Sequence, residues 1–294
     1  MAAWGEEAAL RYGFLIPTGG PREVAELARE VEEAGWDGAF YWDGIAIGEM
    51  DTYDPWVVMA AMAMSTWRVR IGAVLTPPAR RRPWKLARET MTLDHLSGGR
   101  LVLPVGLGAT DDGGFSKVGE PMDRKTRAGR LDEALEILTG LWSGEPFTYE
   151  GAHYRFEEMV FRPPTVQRPR VPIWVVGAWP SERSMGRALR YDGVLAASVG
   201  GDAGSPGVTP QTIRHIREYL RENGRGEDYD IVWEGQTPGG DPGKAASILR
   251  PYAEAGATWW IESPWTPPNA PEDLRRRIRQ GPPRADQGPQ EADS

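Results

Sequence analysis

Apolar positions along this chain alternate between two rhythms. Short apolar runs cover residues 12–16, 38–42, 69–75, 100–105, 173–176, 193–197, 229–233 and 258–261. Their continuity is that of strands buried on both faces. Between them the apolar residues recur at helical spacing, as Val24, Leu27, Ala28, Val31 and Ala34 do in the first such stretch. The helices carry their own punctuation. Pro21, Asp54-Pro55, Pro83, Ser181, Thr209-Pro210, Asp241-Pro242 and Pro271 stand at predicted starts, and Gly35, Gly224 and Gly256 at predicted stops. The pattern predicts helices over 21–35, 55–66, 83–96, 126–142, 181–190, 209–223, 241–256 and 271–280. Strict alternation of strand and helix argues for a parallel sheet flanked by helices. Repeated this often within 294 residues, it predicts a closed (β/α)8 TIM barrel as a single domain over residues 1–280, with a doubly wound open sheet as the alternative. One stretch departs from the rhythm. Residues 147–156 alternate around Gly151 as a hairpin does, and a proline-rich run follows to Arg170, so residues 143–170 read as an insertion after the fourth helix. The tail, 281–294, is rich in Pro, Gly and acidic residues and reads as disordered.

In such barrels chemistry sits at the C-terminal strand ends. The predicted strands end at or near Trp42-Asp43, Thr76, Gly106-Leu107-Gly108, Gly177-Ala178-Trp179, Ser198, Glu234 and Glu262. Glu234 and Glu262, on adjacent strands, would suit a retaining glycosidase if their carboxyls lay about 5 Å apart. The alternative is that each accepts a backbone or tryptophan N–H at the rim. Asp43 is either a general base or the acceptor for the turn at Gly44. His95 reads as structural, and Arg80-Arg81-Arg82 as either a phosphate contact or a solvated run.

Composition narrows the chemistry. There is no cysteine, which removes disulfides, thiolate catalysis and iron–sulfur ligation. The histidines His95, His153 and His215 lack zinc-ligand spacing, so no metal is expected. A net charge of -8 without a basic block argues against nucleic acid. No apolar run approaches a membrane span, and the N-terminus lacks the order of a signal peptide, so the chain is expected in the cytoplasm. The 13 tryptophans include Trp42, Trp179, Trp259, Trp260 and Trp265 near predicted strands' ends, as core filler or as walls for a flat ligand. Redox chemistry here would have to come from a bound organic cofactor.

The runs AELAREVEEAGWDGAFYWD, DPWVVMAAMA, RVRIGAVLTPPARRRPWKLARETMTLDHLSGGRLVLPVGLG, RLDEALEILTGLWSGEPFTYEGAHYRF, PPTVQRPRVPIWVVG and AGATWWIE, in that order, resemble the bacterial luciferase-like flavin-dependent oxidoreductases. The resemblance implies a barrel that binds FMN or coenzyme F-420 at its strand ends and acts on a small organic substrate by monooxygenation or hydride transfer. It places a non-proline cis peptide at Ala73–Val74 and assigns Ala73, Val74, Thr76, Gly106, Leu107, Gly108, Gly177, Ala178, Trp179 and Ser198 to the cofactor. It makes Asp43 the catalytic handle and Trp42, Gly44, Glu234 and Glu262 the substrate pocket. Arg275, Arg276 and Arg277 are candidates for the cofactor phosphate. It also implies a homodimer and, with FMN, a separate flavin reductase. Two departures stand out: Asp43-Gly44 replaces the Asp-His that many members carry, leaving a larger pocket or room for a water. Ala109 replaces a glutamate of some deazaflavin-dependent sugar-phosphate dehydrogenases. A non-catalytic flavin-binding barrel and the glycosidase are the rival functions.

Overall fold

A computed structural model describes residues 10–199 and 207–285, so residues 286–294 of the tail lie outside the described residues. The order is β1 (Arg11–Leu15), α1 (Pro21–Glu33), β2 (Gly38–Tyr41), α2 (Pro55–Ser65), β3 (Arg70–Ala73), a 3-10 turn (Pro78–Arg80), α3 (Pro83–Leu96) and β4 (Leu103–Val105). There follow α4 (Gly113–Ser116), α5 (Arg124–Trp142), β5 (Phe147–Glu150), β6 (Arg155–Met159), β7 (Ile173–Trp179) and α6 (Glu182–Ala188). The chain continues through β8 (Gly193–Ser198), α7 (Pro210–Glu222), β9 (Asp230–Gly235), α8 (Pro242–Glu254), β10 (Trp259–Glu262) and α9 (Pro271–Arg279). Eight strands form one sheet in the order β3-β2-β1-β10-β9-β8-β7-β4. Parallel bridges from Ile71 to Leu101 and from Thr76 to Val105 join the ends of that order. This is the nearly closed (β/α)8 barrel that the alternation predicts.

Contacts divide the chain into two compact units. One holds residues 27–39 and the chain from Trp174, together with β1. In it β1, β10, β9 and β8 pair in parallel, with Trp259 beside Val232 and Val194 beside Ile231. At the N-terminal strand ends, Asp230 accepts from Arg11 and from the Trp174 indole at 3.0 Å, under the Trp174–Trp259 ring pair.

The other unit holds residues 18–26 and 40–173. Its corner between α3 and β4 turns on Gly98 and Gly99, both at positive φ (63° and 84°), where a side chain is strained. Buried Asp94 latches the excursion to this corner, accepting from the backbone N–H groups of Val166 and Gln167 and from the Gln167 amide at 2.8 Å. Within the excursion β5 and β6 pair antiparallel, and Phe147, Tyr149 and Phe156 make one aromatic layer against Trp84. The fourth barrel strand is shorter than its apolar run. Pro104 has no N–H for the ladder, and Leu101 meets β3 at an isolated bridge to Ile71.

Candidate functional site

The end of β2 leads into Trp42 and Asp43, whose side chain is wholly enclosed. Arg80 Nη2 donates to Asp43 Oδ1 at 2.8 Å and to its backbone carbonyl at 2.6 Å. Arg81 donates to both carboxylate oxygens, each from Nη2 at 2.8 Å. The second arm of Arg80 reaches Asp112. Asp112 also accepts from the backbone N–H groups of Ile45 (3.1 Å), Ala46 (2.9 Å) and Gly114 (2.8 Å). Burial raises the Asp112 pKa, but those N–H donors and the Arg80 guanidinium outweigh it and leave the carboxyl below its ordinary value. The arrangement corrects two expectations. Asp43 presents no open oxygen for general-base work, because both are held by guanidinium groups. Arg80 and Arg81 are neither solvated nor available to a phosphate, because they neutralise Asp43 and Asp112. The sequence hinted at this only through Asp112, which stands before two glycines as a helix cap.

Gly44 is corrected too. A Cβ there would lie 2.2 Å from Cζ3 of Trp42 and 3.1 Å from Ile47. The space beside Gly44 is filled by the Trp42 indole, which is itself buried. The missing side chain leaves no larger pocket.

At the end of β3 the cis peptide joins Val74 to Leu75, one residue beyond the expected Ala73–Val74. Thr76 follows, with its N–H on Pro104 O at 2.9 Å and its own carbonyl accepting from Gly106 N at 3.3 Å. Its hydroxyl is buried and has no hydrogen-bond partner among the described residues. Gly108, at φ 76°, closes the adjacent turn, and a Cβ there would sit 2.7 Å from Pro77 and 2.8 Å from Phe115. Arg127 of α5 holds this turn, donating to Leu107 O at 2.9 Å and to Gly108 O at 2.8 Å. The guanidinium groups of Arg80 and Arg127 lie 5.4 and 5.5 Å from the Phe115 ring. Arg127 and Phe115 have no sequence signature, because a lone arginine and a lone phenylalanine in polar surroundings carry no pattern.

In the other unit the two glutamates separate. Glu234 is in register with Ile261, and Glu262 with Gly235, so their side chains leave opposite faces of the sheet. Glu262 faces α9: it accepts from Thr237 N and Oγ1 (2.8 and 2.7 Å) and the Trp260 indole, and pairs with Arg277 at 3.3 Å. Glu234 is turned the other way, so a glycosidase pair is not formed. Arg275 pairs with Glu30 and Arg276 with Asp273, which leaves all three candidate phosphate arginines on carboxylates. At the end of β7, Gly177 has a packing reason: a Cβ would be 2.3 Å from Val194. The Ala178 N–H donates to Ser184 Oγ, and the Trp179 ring lies against His215 and Tyr219 of α7. Ser198 is paired in register with Trp179.

A family model described as luciferase-like monooxygenase matches residues 8–287. The chain belongs to the luciferase-like monooxygenase family. An F420-dependent glucose-6-phosphate dehydrogenase of Nakamurella multipartita is 32% identical over 226 residues, 74% of this luciferase-like chain and 63% of the relative. A protein of the same name from Nocardia farcinica is 32% identical over 223 residues, 71% and 62% of the respective chains. The chain thus spans less than two thirds of the length of these curated relatives. Among solved structures, the coenzyme F420-dependent tetrahydromethanopterin reductase of Methanopyrus kandleri superposes with a TM-score of 0.76 at 18% identity, over 93% of this chain and 97% of that one. The monooxygenase RslO1 of Streptomyces bottropensis gives 0.75 at 21% identity, over 92% and 97%. At these identities the likeness establishes the fold.

Proposed function

We propose that this luciferase-like protein is an oxidoreductase that binds coenzyme F420 or FMN and acts on a small organic substrate by hydride transfer or monooxygenation. The observation that carries the reading is the unpartnered buried hydroxyl of Thr76, next to a glycine turn that Arg127 and Phe115 hold in place. A buried hydroxyl without a partner costs free energy unless something else satisfies it. Thr76 and the backbone of Ala73, Val74, Gly106, Leu107 and Gly108 would hold the cofactor, and Gly177, Ala178 and Ser198 are further candidates. When bound, such a cofactor supplies the two-electron chemistry that none of the side chains provides. The chain's own residues bind and orient. Asp43 is a positioning residue: through Arg80 and Asp112 it ties the segment after β2 to the segment after β4. The names of the curated relatives favour F420, and the monooxygenases among the structural neighbours are what keeps FMN with a separate reductase as the second reading. A homodimer and a cytoplasmic location belong to the same proposal.

Titration of the purified protein with F420 and with FMN, followed by fluorescence and absorbance, tests the reading. Binding of F420 is the expected result, and Thr76→Val should weaken it about tenfold, the loss of one hydrogen bond to a polar ligand. Failure of both cofactors to bind defeats the reading. Binding without reduction or turnover of any substrate would favour the non-catalytic flavin-binding rival.

A further inference from the structure

Glu234 stands next to the last residue of β9, on the face of the sheet turned away from α8 and α9. Its strand neighbour Trp233 stacks on Tyr252 of α8, and Glu262 meets Arg277 of α9, so Glu234, in register with Ile261, points the opposite way. It is buried and has no ion-pair partner among the described residues. Its contacts are neutral donors: Ser263 Oγ at 3.0 Å from Oε2, and the Trp265 indole.

Ser263 makes this carboxyl unusual. Its hydroxyl has two acceptors in reach, Glu234 Oε2 at 3.0 Å and the Ile261 carbonyl at 3.2 Å, and one proton to give. When Glu234 is ionised, the Ser263 O–H donates its hydrogen bond to Oε2. When Glu234 is a carboxylic acid, its own O–H donates to Ser263 Oγ, and the Ser263 O–H donates to Ile261 O. Both states are hydrogen-bonded with the same heavy-atom positions, so a proton can be taken up or released without repacking.

We propose that Glu234 and Ser263 form the proton-exchanging pair of this protein, giving or taking the proton that must accompany a hydride. The proposal rests on the oxidoreductase reading above. In the reducing direction a substrate carbonyl carbon accepts a hydride, two electrons and a proton together, from a reduced flavin-class cofactor. The C–O π pair moves to oxygen, and that oxygen takes the Glu234 proton to become a hydroxyl. Glu234 is left as a carboxylate that accepts from Ser263, and a solvent proton restores the acid. In the oxidising direction each transfer reverses.

The surroundings favour the acid form. β8 brings Ala196, Ala197 and Ser198, none charged, and β10 brings Ile261. Glu262 lies on the other face, where it pairs with Arg277, and Asp241 caps the start of α8 by accepting from the Lys244 N–H. Burial without a cation pushes the Glu234 carboxyl up to about 7, against the lowering pull of Ser263 and Trp265.

The test has two readouts. In cofactor-free protein, the infrared carbonyl band of protonated carboxyl should persist to near neutral pH and titrate around 7, disappear in Glu234→Gln and shift in Ser263→Ala. In F420-loaded protein, Glu234→Gln should lower kcat at least about a hundredfold with KM little changed, and should delete the limb of the kcat profile near neutrality. Glu234→Asp keeps an acid and should shift that limb instead, which also guards against a variant that fails to fold. A wild-type band that titrates in the ordinary carboxylate range overturns the proposal. So does an unchanged kcat profile in a Glu234→Gln protein that still binds F420, and this outcome leaves the oxidoreductase reading standing. Failure of F420 and FMN to bind at all overturns both.

Discussion

Arg80 is the residue on which one unit turns. One guanidinium neutralises Asp43 and Asp112, donates to the Asp43 carbonyl and lies over the Phe115 ring. Its side chain is 1% exposed, so removing it leaves Asp112 buried without a cation and Asp43 on Arg81 alone. Arg80→Met should destabilise the protein by about 3–5 kcal/mol in urea denaturation. Arg80→Lys should restore little of that, because an ammonium cannot span two carboxylates as the planar fork does. Glu234 argues in the opposite direction. Its folded pKa, about 7, lies above the ordinary carboxyl value of 4.5, so the folded state holds the proton longer than the unfolded chain. Stability is therefore undiminished below about pH 4.5 and is lost as pH rises toward 7, with no further loss above. Glu234→Gln should remove that loss and be the more stable protein at pH 8 by up to about 3 kcal/mol, read from denaturation curves across pH. At Gly44, Gly44→Ala should destabilise by about 1–3 kcal/mol, since its Cβ meets the Trp42 ring. Trp42→Ala should relieve it, which a double-mutant cycle would show as a coupling above about 1 kcal/mol.

The elements were legible wherever local chemistry speaks for itself. Helices α2, α7 and α8 begin at Asp54, Thr209 and Asp241, whose side chains accept backbone N–H groups ahead of a proline in the first turn. Two short elements, the 3-10 turn Pro78–Arg80 and α4, leave no mark on the sequence pattern, because three or four residues are too few to show a period. Both stand in the network around Arg80 and Asp112, so the least legible pieces of backbone carry the candidate site. The turn at Gly108 makes the point testable. Its positive φ and the closeness of Pro77 each oppose a side chain. Gly108→Ala should cost about 2–4 kcal/mol in stability and weaken cofactor binding along with it, measured by thermal melts and by F420 titration.

At the scale of the whole molecule, a ligand that binds only the folded barrel must stabilise it. F420 at a hundred times its dissociation constant should add about 2.7 kcal/mol and raise the melting temperature in a concentration-dependent way. An unchanged melting temperature with a bound cofactor would mean equal binding to the unfolded chain. The sequence by itself determined the alternation of strands and helices, the ends at which chemistry should gather, and the absence of thiols from it. Those follow from short-range rules: apolar periodicity, capping and proline geometry act within a few residues. Only the tertiary structure decided what the nominated side chains do. Asp43 became the partner of Arg80 and Arg81 instead of an open base. Trp42 filled the space over Gly44, and register turned Glu234 and Glu262 to opposite faces. Strand pairing and burial bring together residues dozens of positions apart, and a charge's role depends on which partner arrives beside it in the absence of water.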